Sequence, residues 1–342
     1  MDKTVKFKIE LETNGQKVLH DVTVSTGELR DALVEVGKEA KLSAEKMTSL
    51  ASTSMMVDAL TNVVDRLCSS INGIADDWNA FDKAMRAANT MAGKNTEDFA
   101  KLKDQVAELG NTIPKTKEEL ANGLYEVVSN GVPEDNWISF LEQSAKASVG
   151  GIADLGQTVT VTSTIIKNYA LEWDKAGEIQ DKIQMAAKNG KTSFEELAAA
   201  LPRVTGNAAT LGVSVDELMA TFATLTGVSG NTAEVSTQLA AVFTALVKPS
   251  SEATEMAQEM GIQFDAAAIR AQGGMRNFLT QLDADITKYA SAHNMLTEEI
   301  YGKLFGSAES LRALTPITGN LASKYEENVD AMAGGITGSG FC

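Results

Sequence analysis

The chain has 342 residues, with 30 Lys and Arg against 46 Asp and Glu, a formal net charge of −16. That excess of acid excludes a general basic face for a phosphate backbone or an anionic membrane surface. Hydrophobic residues at 44% exclude general disorder, and aromatics at 6% leave little material for base-stacking platforms.

Val5, Phe7, Ile9 and Leu11 alternate with Lys6, Lys8, Glu10 and Glu12, the pattern of a strand with one buried face. Asn14-Gly15 then offers a two-residue turn, and Val18, Val22 and Val24 resume the alternation up to Ser25. Residues 1–25 are therefore predicted to form a β-hairpin. From Thr26 to about Asn89 no proline occurs, and residues 26–80 are predicted to form a long helix. Its second half carries a seam of Leu60, Val64, Leu67, Ile71, Ile74, Trp78, Phe81, Met85 and Ala88. The spacing alternates four and three, as in a left-handed coiled coil. Two readings stay open: a self-associating rod, or an amphipathic helix lying on a globular neighbour.

Residues 81–322 read as a multi-helix core of shorter helices. Thr116-Lys117-Glu118-Glu119, Ser193-Phe194-Glu195-Glu196 and Ser214-Val215-Asp216-Glu217 each place a hydroxyl three residues before a carboxylate, the capping-box arrangement. Gly110, Gly131, Gly190, Gly212, Gly227, Gly261 and Gly306 are expected at helix ends. Thr158-Val159-Thr160-Val161-Thr162 has strand-like composition, yet helical segments flank it closely and it is assigned to a helix. Residues 323–342, with Gly334, Gly335, Gly338 and Gly340, are expected to form a Gly-rich tail or linker. The fold class is mostly α: a short β-hairpin, a long coiled-coil-like helix, then a multi-helix core.

Residues able to carry chemistry are sparse. His20, His293, Cys68 and Cys342 do not have metal-ligand spacing, and there is no Asn-x-Ser/Thr sequon. Gly190-Lys191-Thr192 imitates the end of a phosphate-binding loop, but Met185 stands where that loop needs glycine and no strand precedes it. The acidic pairs Asp76-Asp77, Glu118-Glu119 and Glu298-Glu299 fit helix starts better than acid–base catalysis. No signal-peptide h-region opens the chain, and no run of 18 apolar residues occurs. No catalytic, cofactor-binding or metal residue is assigned, and direct nucleic-acid binding is not expected. The candidate site is the seam, Leu60, Val64, Leu67, Ile71, Ile74, Trp78, Phe81 and Met85, as a self-association surface.

From Phe81 to Thr318 an ordered set of segments resembles the core region of phage tail tape measure proteins, the phage minor tail protein family. The set runs from Phe81-Asp82-Lys83-Ala84-Met85 through Leu109-Gly110-Asn111-Thr112 and Glu118–Leu124 to Ala186–Leu197. It continues with Ala208–Leu218, the segment most like the family, then Gly230-Asn231-Thr232-Ala233 and Leu246-Val247-Lys248-Pro249-Ser250, and closes at Lys303–Ser310. The resemblance implies a structural, non-enzymatic protein without cofactors that sets tail-tube length during assembly and is released at genome ejection. It implies as partners the tail tube protein, tail assembly chaperones, baseplate or tail-tip proteins and further copies of itself. The implied location is the virion tail, with the host cytoplasm during assembly. Such proteins are usually much longer. Fully helical, this chain would reach only about 510 Å at 1.5 Å per residue, and its end at Gly340-Phe341-Cys342 suggests interruption within a linker. An assembly protein of a phage-derived injection particle would share the core. A tail-borne wall hydrolase would instead need a buried glutamate in a cleft, and a generic signalling coiled coil would lack the ordered core motifs.

Overall fold

The structure, a computed structural model, describes residues 4–13, 16–25 and 76–334. The chain divides into two units, residues 1–78 and residues 79–342. In the first, strand β1 (Thr4–Thr13) pairs antiparallel with β2 (Gln16–Ser25), Thr4 opposite Ser25 and Thr13 opposite Gln16. Residues 26–75, which include the first five seam residues, lie outside the described residues, as do residues 335–342.

The second unit is a helical array. Residues 76–92 are helical (α1), the first three of them in the first unit, followed by α2 (Thr96–Leu109), α3 (Lys117–Ser129), α4 (Trp137–Gly150), α5 (Leu155–Asn168) and α6 (Ala176–Asn189). Then come α7 (Phe194–Ala200), α8 (Thr205–Leu211), α9 (Val215–Ser229), α10 (Thr232–Val247) and α11 (Ser251–Met260). The array closes with α12 (Ala266–Ala271), α13 (Met275–His293), α14 (Thr297–Phe305), α15 (Ala308–Thr318) and α16 (Ala322–Gly334). All three expected capping boxes form, at Thr116 with Glu119, Ser193 with Glu196 and Ser214 with Glu217. Each satisfies backbone amides that the first helical turn leaves without partners.

Helices α3, α4 and α5 pack on one another, and α6 links them to α9. Helix α9 is the centre of the unit: it packs on α6, α10 and α16, and every residue from Glu217 to Thr226 is buried. The Thr221, Thr224 and Thr226 hydroxyls donate to the Glu217, Ala220 and Phe222 carbonyls at 2.6, 2.8 and 2.7 Å. With these hydroxyls satisfied inside the helix, threonine tolerates burial on every side. The same back-bonding satisfies the buried threonine hydroxyls of α5. Thr158 donates to Asp154 and Thr162 to Thr158, at 2.8 and 2.7 Å.

Two expectations need correction. Gly227 lies inside α9, which continues to Ser229 and ends at Gly230 in the left-handed conformation. The segment expected as a tail from residue 323 begins as α16, whose Tyr325, Asn328, Val329 and Met332 face inward at helical spacing. The Gly-rich composition beyond it concealed that amphipathic stripe.

Candidate functional site

The most distinctive polar junction grows from Leu211-Gly212-Val213-Ser214-Val215-Asp216-Glu217. Gly212 ends α8 in the left-handed conformation, Val213 is buried, and Ser214 caps α9. Glu217, itself buried, uses both carboxylate oxygens. Oε2 accepts the Ser214 backbone N–H and hydroxyl, both at 3.0 Å, closing the capping box. Oε1 accepts the backbone N–H of Arg276 at 2.9 Å, in the first turn of α13. One carboxylate thus serves the amino ends of two helices, where helix dipoles favour negative charge. Gly274, with φ +135°, stands before α13, and a Cβ built there would lie 2.7 Å from Glu217 Oε1.

Charge passes the other way too. The Arg270 guanidinium, from α12, donates to the Thr210 carbonyl in the last turn of α8. A cation therefore meets a helix carboxyl end while an anion meets a helix amino end, both across the same junction. An open cleft of about 410 Å³ lies here, lined by Asp216, Glu217, Arg270, Gly274, Arg276 and Val329 among others. Arg276 Nη1 pairs with Asp330 Oδ1 at 3.0 Å, and Asp216 Oδ1 lies 2.5 Å from Lys182 Nζ. Burial pulls the Lys182 ammonium down, but its bonds to Asp216 and Glu178 outweigh this and hold it above the usual lysine range. Burial pushes the Tyr325 phenol above the usual tyrosine range and the Glu217 charge adds to that, so the hydroxyl stays protonated. These charges hold elements together, as a structural joint does.

Of the seam residues, Trp78, Phe81 and Met85 fall within the described residues. Phe81 and Met85, together with Ala88, are fully buried, and the Lys103 ammonium stands 5.8 Å from the Phe81 ring centroid. Asp82 beside them pairs with Lys103 and, at 2.7 Å, with Arg86. Asp76 and Asp77 are exposed in α1, while Glu118-Glu119 and Glu298-Glu299 open α3 and α14. His293 stacks on Tyr289 with centroids 3.9 Å apart at the end of α13. Gly190 ends α6, with Lys191-Thr192 leading to the Ser193 cap. Among the described residues, no group of three or more His, Cys, Asp or Glu is placed to hold a metal ion. No helix among them is long and apolar enough to cross a membrane. The Glu217–Arg276 and Arg270–Thr210 links were missed by sequence reasoning; the available signal was Gly273-Gly274 directly before a helix.

A family model described as "Phage-related minor tail protein" matches residues 103–306, more than half of the chain. The chain is 22% identical over 216 residues to the "Probable tape measure protein" of Clostridium phage phiCD119, covering 62% of this chain and 23% of that protein. It is 21% identical over 137 residues to the "Tape measure protein" of Pneumococcus phage Dp-1, covering 40% of this chain and 12% of that protein. The matches therefore span under a quarter of the length of either relative. No solved structure matches the chain.

Proposed function

Because the chain belongs to the phage-related minor tail protein family, we propose that it is a structural component of a phage tail and acts as a tape measure. In this reading it fixes the length of the tail tube during assembly and leaves at genome ejection. The observation that carries the reading is the family match over residues 103–306, which coincides with closely packed helices from α2 to α14. The names of the two phage relatives support it. A joint in which every charge is matched to a helix end or an opposite charge suits a protein whose task is to hold a shape. The partners we propose are the tail tube protein, tail assembly chaperones and baseplate or tail-tip proteins, with further copies of this chain through the seam. The proposed place is the virion tail, reached from the host cytoplasm, and no enzymatic step is assigned.

The test is tail length by negative-stain microscopy in phage whose gene lacks the codons for Ser43 to Ser70. In a helical ruler this removes roughly 42 Å. Tails shorter by about that amount support the reading. Tails of unchanged length would overturn a ruler role for this part of the chain and leave an assembly role.

A further inference from the structure

Strand β1 carries a charge order that is its own antiparallel complement. Along Thr4–Thr13 the charged positions are Lys6, Lys8, Glu10 and Glu12, which share one face because successive strand positions alternate. Val5, Phe7, Ile9 and Leu11 share the other face. Within the hairpin the charged face is already ordered by sign, with Lys8 opposite Asp21 and Glu12 opposite Lys17. The sheet has two strands among the described residues, so β1 there has a strand on one side only. The outer edge of such a strand is a row of backbone N–H and C=O groups, a template for another strand. A two-stranded hairpin is marginal in water, and further strands over an apolar face stabilise it.

A second β1 laid antiparallel along that edge has few registers open to it. A slip of one residue sets the apolar face of one strand against the charged face of the other. With Ile9 opposite Ile9, Lys6 meets Glu12, Lys8 meets Glu10 and Phe7 meets Leu11. The arrangement is twofold, so both charge pairs occur twice, and no like charges stand opposite. Centring on Lys8 instead sets Lys8 against itself, and centring on Glu10 sets Glu10 against itself. In-register parallel pairing would set lysine beside lysine and glutamate beside glutamate. Opposite charges across a strand pair stabilise it and like charges oppose it. Strand β2 has only Lys17 and Asp21 as formal charges along Gln16–Ser25, too few to fix a register of its own.

We propose that the β1 edge joins two copies of this chain, β1 antiparallel to β1 about Ile9, in a four-stranded sheet ordered β2-β1-β1-β2. Each copy presents the same surface, so the contact closes as a twofold dimer. This interface is separate from the helical seam, and it stands without the tail assignment.

The test is disulfide trapping in the full chain, with Cys68→Ser and Cys342→Ser as the background. Opposed residues of an antiparallel pair have Cα atoms about 4.5–5.5 Å apart, within the about 4.4–6.8 Å that a disulfide spans. Ile9→Cys should therefore give a disulfide-linked dimer under mild oxidation. Phe7→Cys, on the same face, would sit roughly 13–14 Å along the strand from its own copy and should give at least about tenfold less dimer. Phe7→Cys chains mixed with Leu11→Cys chains should link to each other, a second reading that keeps Ile9. Adding Lys6→Glu/Glu10→Lys to Ile9→Cys should lower the dimer yield at least about tenfold, because every charge pair across the edge becomes like-charged. That double change keeps the net charge, the apolar face and the Lys8–Asp21 and Glu12–Lys17 positions. Equal linkage for Ile9→Cys and Phe7→Cys would overturn the register. No linkage in either the Ile9→Cys chain or the mixture would overturn the interface, and linkage indifferent to Lys6→Glu/Glu10→Lys would overturn the charge pairing.

Discussion

Glu217 accepts bonds from Ser214 and Arg276 because its helix places it three residues after a cap and the Gly273-Gly274 turn brings a second helix start against its other oxygen. The first half of that geometry is local and could be read from Ser214-Val215-Asp216-Glu217. The second joins residues 59 apart and follows no short-range rule. Gly274 makes the joint testable. An alanine there would meet two costs: strain at φ +135°, about 1–3 kcal/mol, and displacement of a charge-assisted bond, about 1.5–3 kcal/mol. Gly261 is the control, at φ +69° with nothing within 4 Å of a built Cβ. Gly261→Ala should cost only the left-handed penalty, about 1 kcal/mol. Urea unfolding should therefore place Gly274→Ala below Gly261→Ala in stability by about 2 kcal/mol or more. Equal midpoints would mean that the second Glu217 bond adds nothing.

Helix α5 shows how an element can defeat its own composition. Thr158-Val159-Thr160-Val161-Thr162 favours a strand by propensity, which reflects packing more than any fixed backbone preference. The Asp154 cap on Gln157 N–H at 2.8 Å starts a helix instead, and the threonine hydroxyls find carbonyls one turn back. The capped starts of α3, α7 and α9 and the helical course of α5 were legible because they depend on neighbours in sequence. What Thr162 meets across the core was not. Gln180 Nε2, from α6, donates to Ser144 Oγ of α4 at 3.1 Å and to Thr162 Oγ1 at 3.3 Å. This amide joins three helices in a fully buried setting. Gln180→Leu should cost roughly 1–3 kcal/mol by leaving a buried hydroxyl without its partner. Gln184, one turn on, has a buried amide oxygen with no partner, so Gln184→Leu should be neutral or stabilising. Thermal unfolding of the two variants reads the contrast, and similar losses in both would show that the Gln180 bonds carry no special weight.

At the scale of the molecule, one buried helix organises the second unit and an acid excess covers the chain. The central place of α9 left no periodic trace, because Leu218 to Thr226 is buried on every side and has no polar face to alternate with. The seam was legible as a stripe, yet the stripe could not say what covers it. Phe81 and Met85 are fully buried, and the Lys103 ammonium stands over the Phe81 ring. Charge, by contrast, needs no fold to be read. A net charge of −16 disfavours approach to a phosphate backbone, and binding without base contacts depends on lysine and arginine displacing the counterions condensed on the DNA. Among the described residues, Arg270 and Arg276 are already engaged with Thr210 and Asp330, and Lys182 with Asp216 and Glu178. The full chain should therefore show no shift of duplex DNA in a gel assay at about 100 µM protein and about 0.15 M salt, where non-specific binders already respond. Retention that weakens steeply as salt rises would reveal a cationic face that the net charge hides. It would also count against the proposed release of this chain at genome ejection.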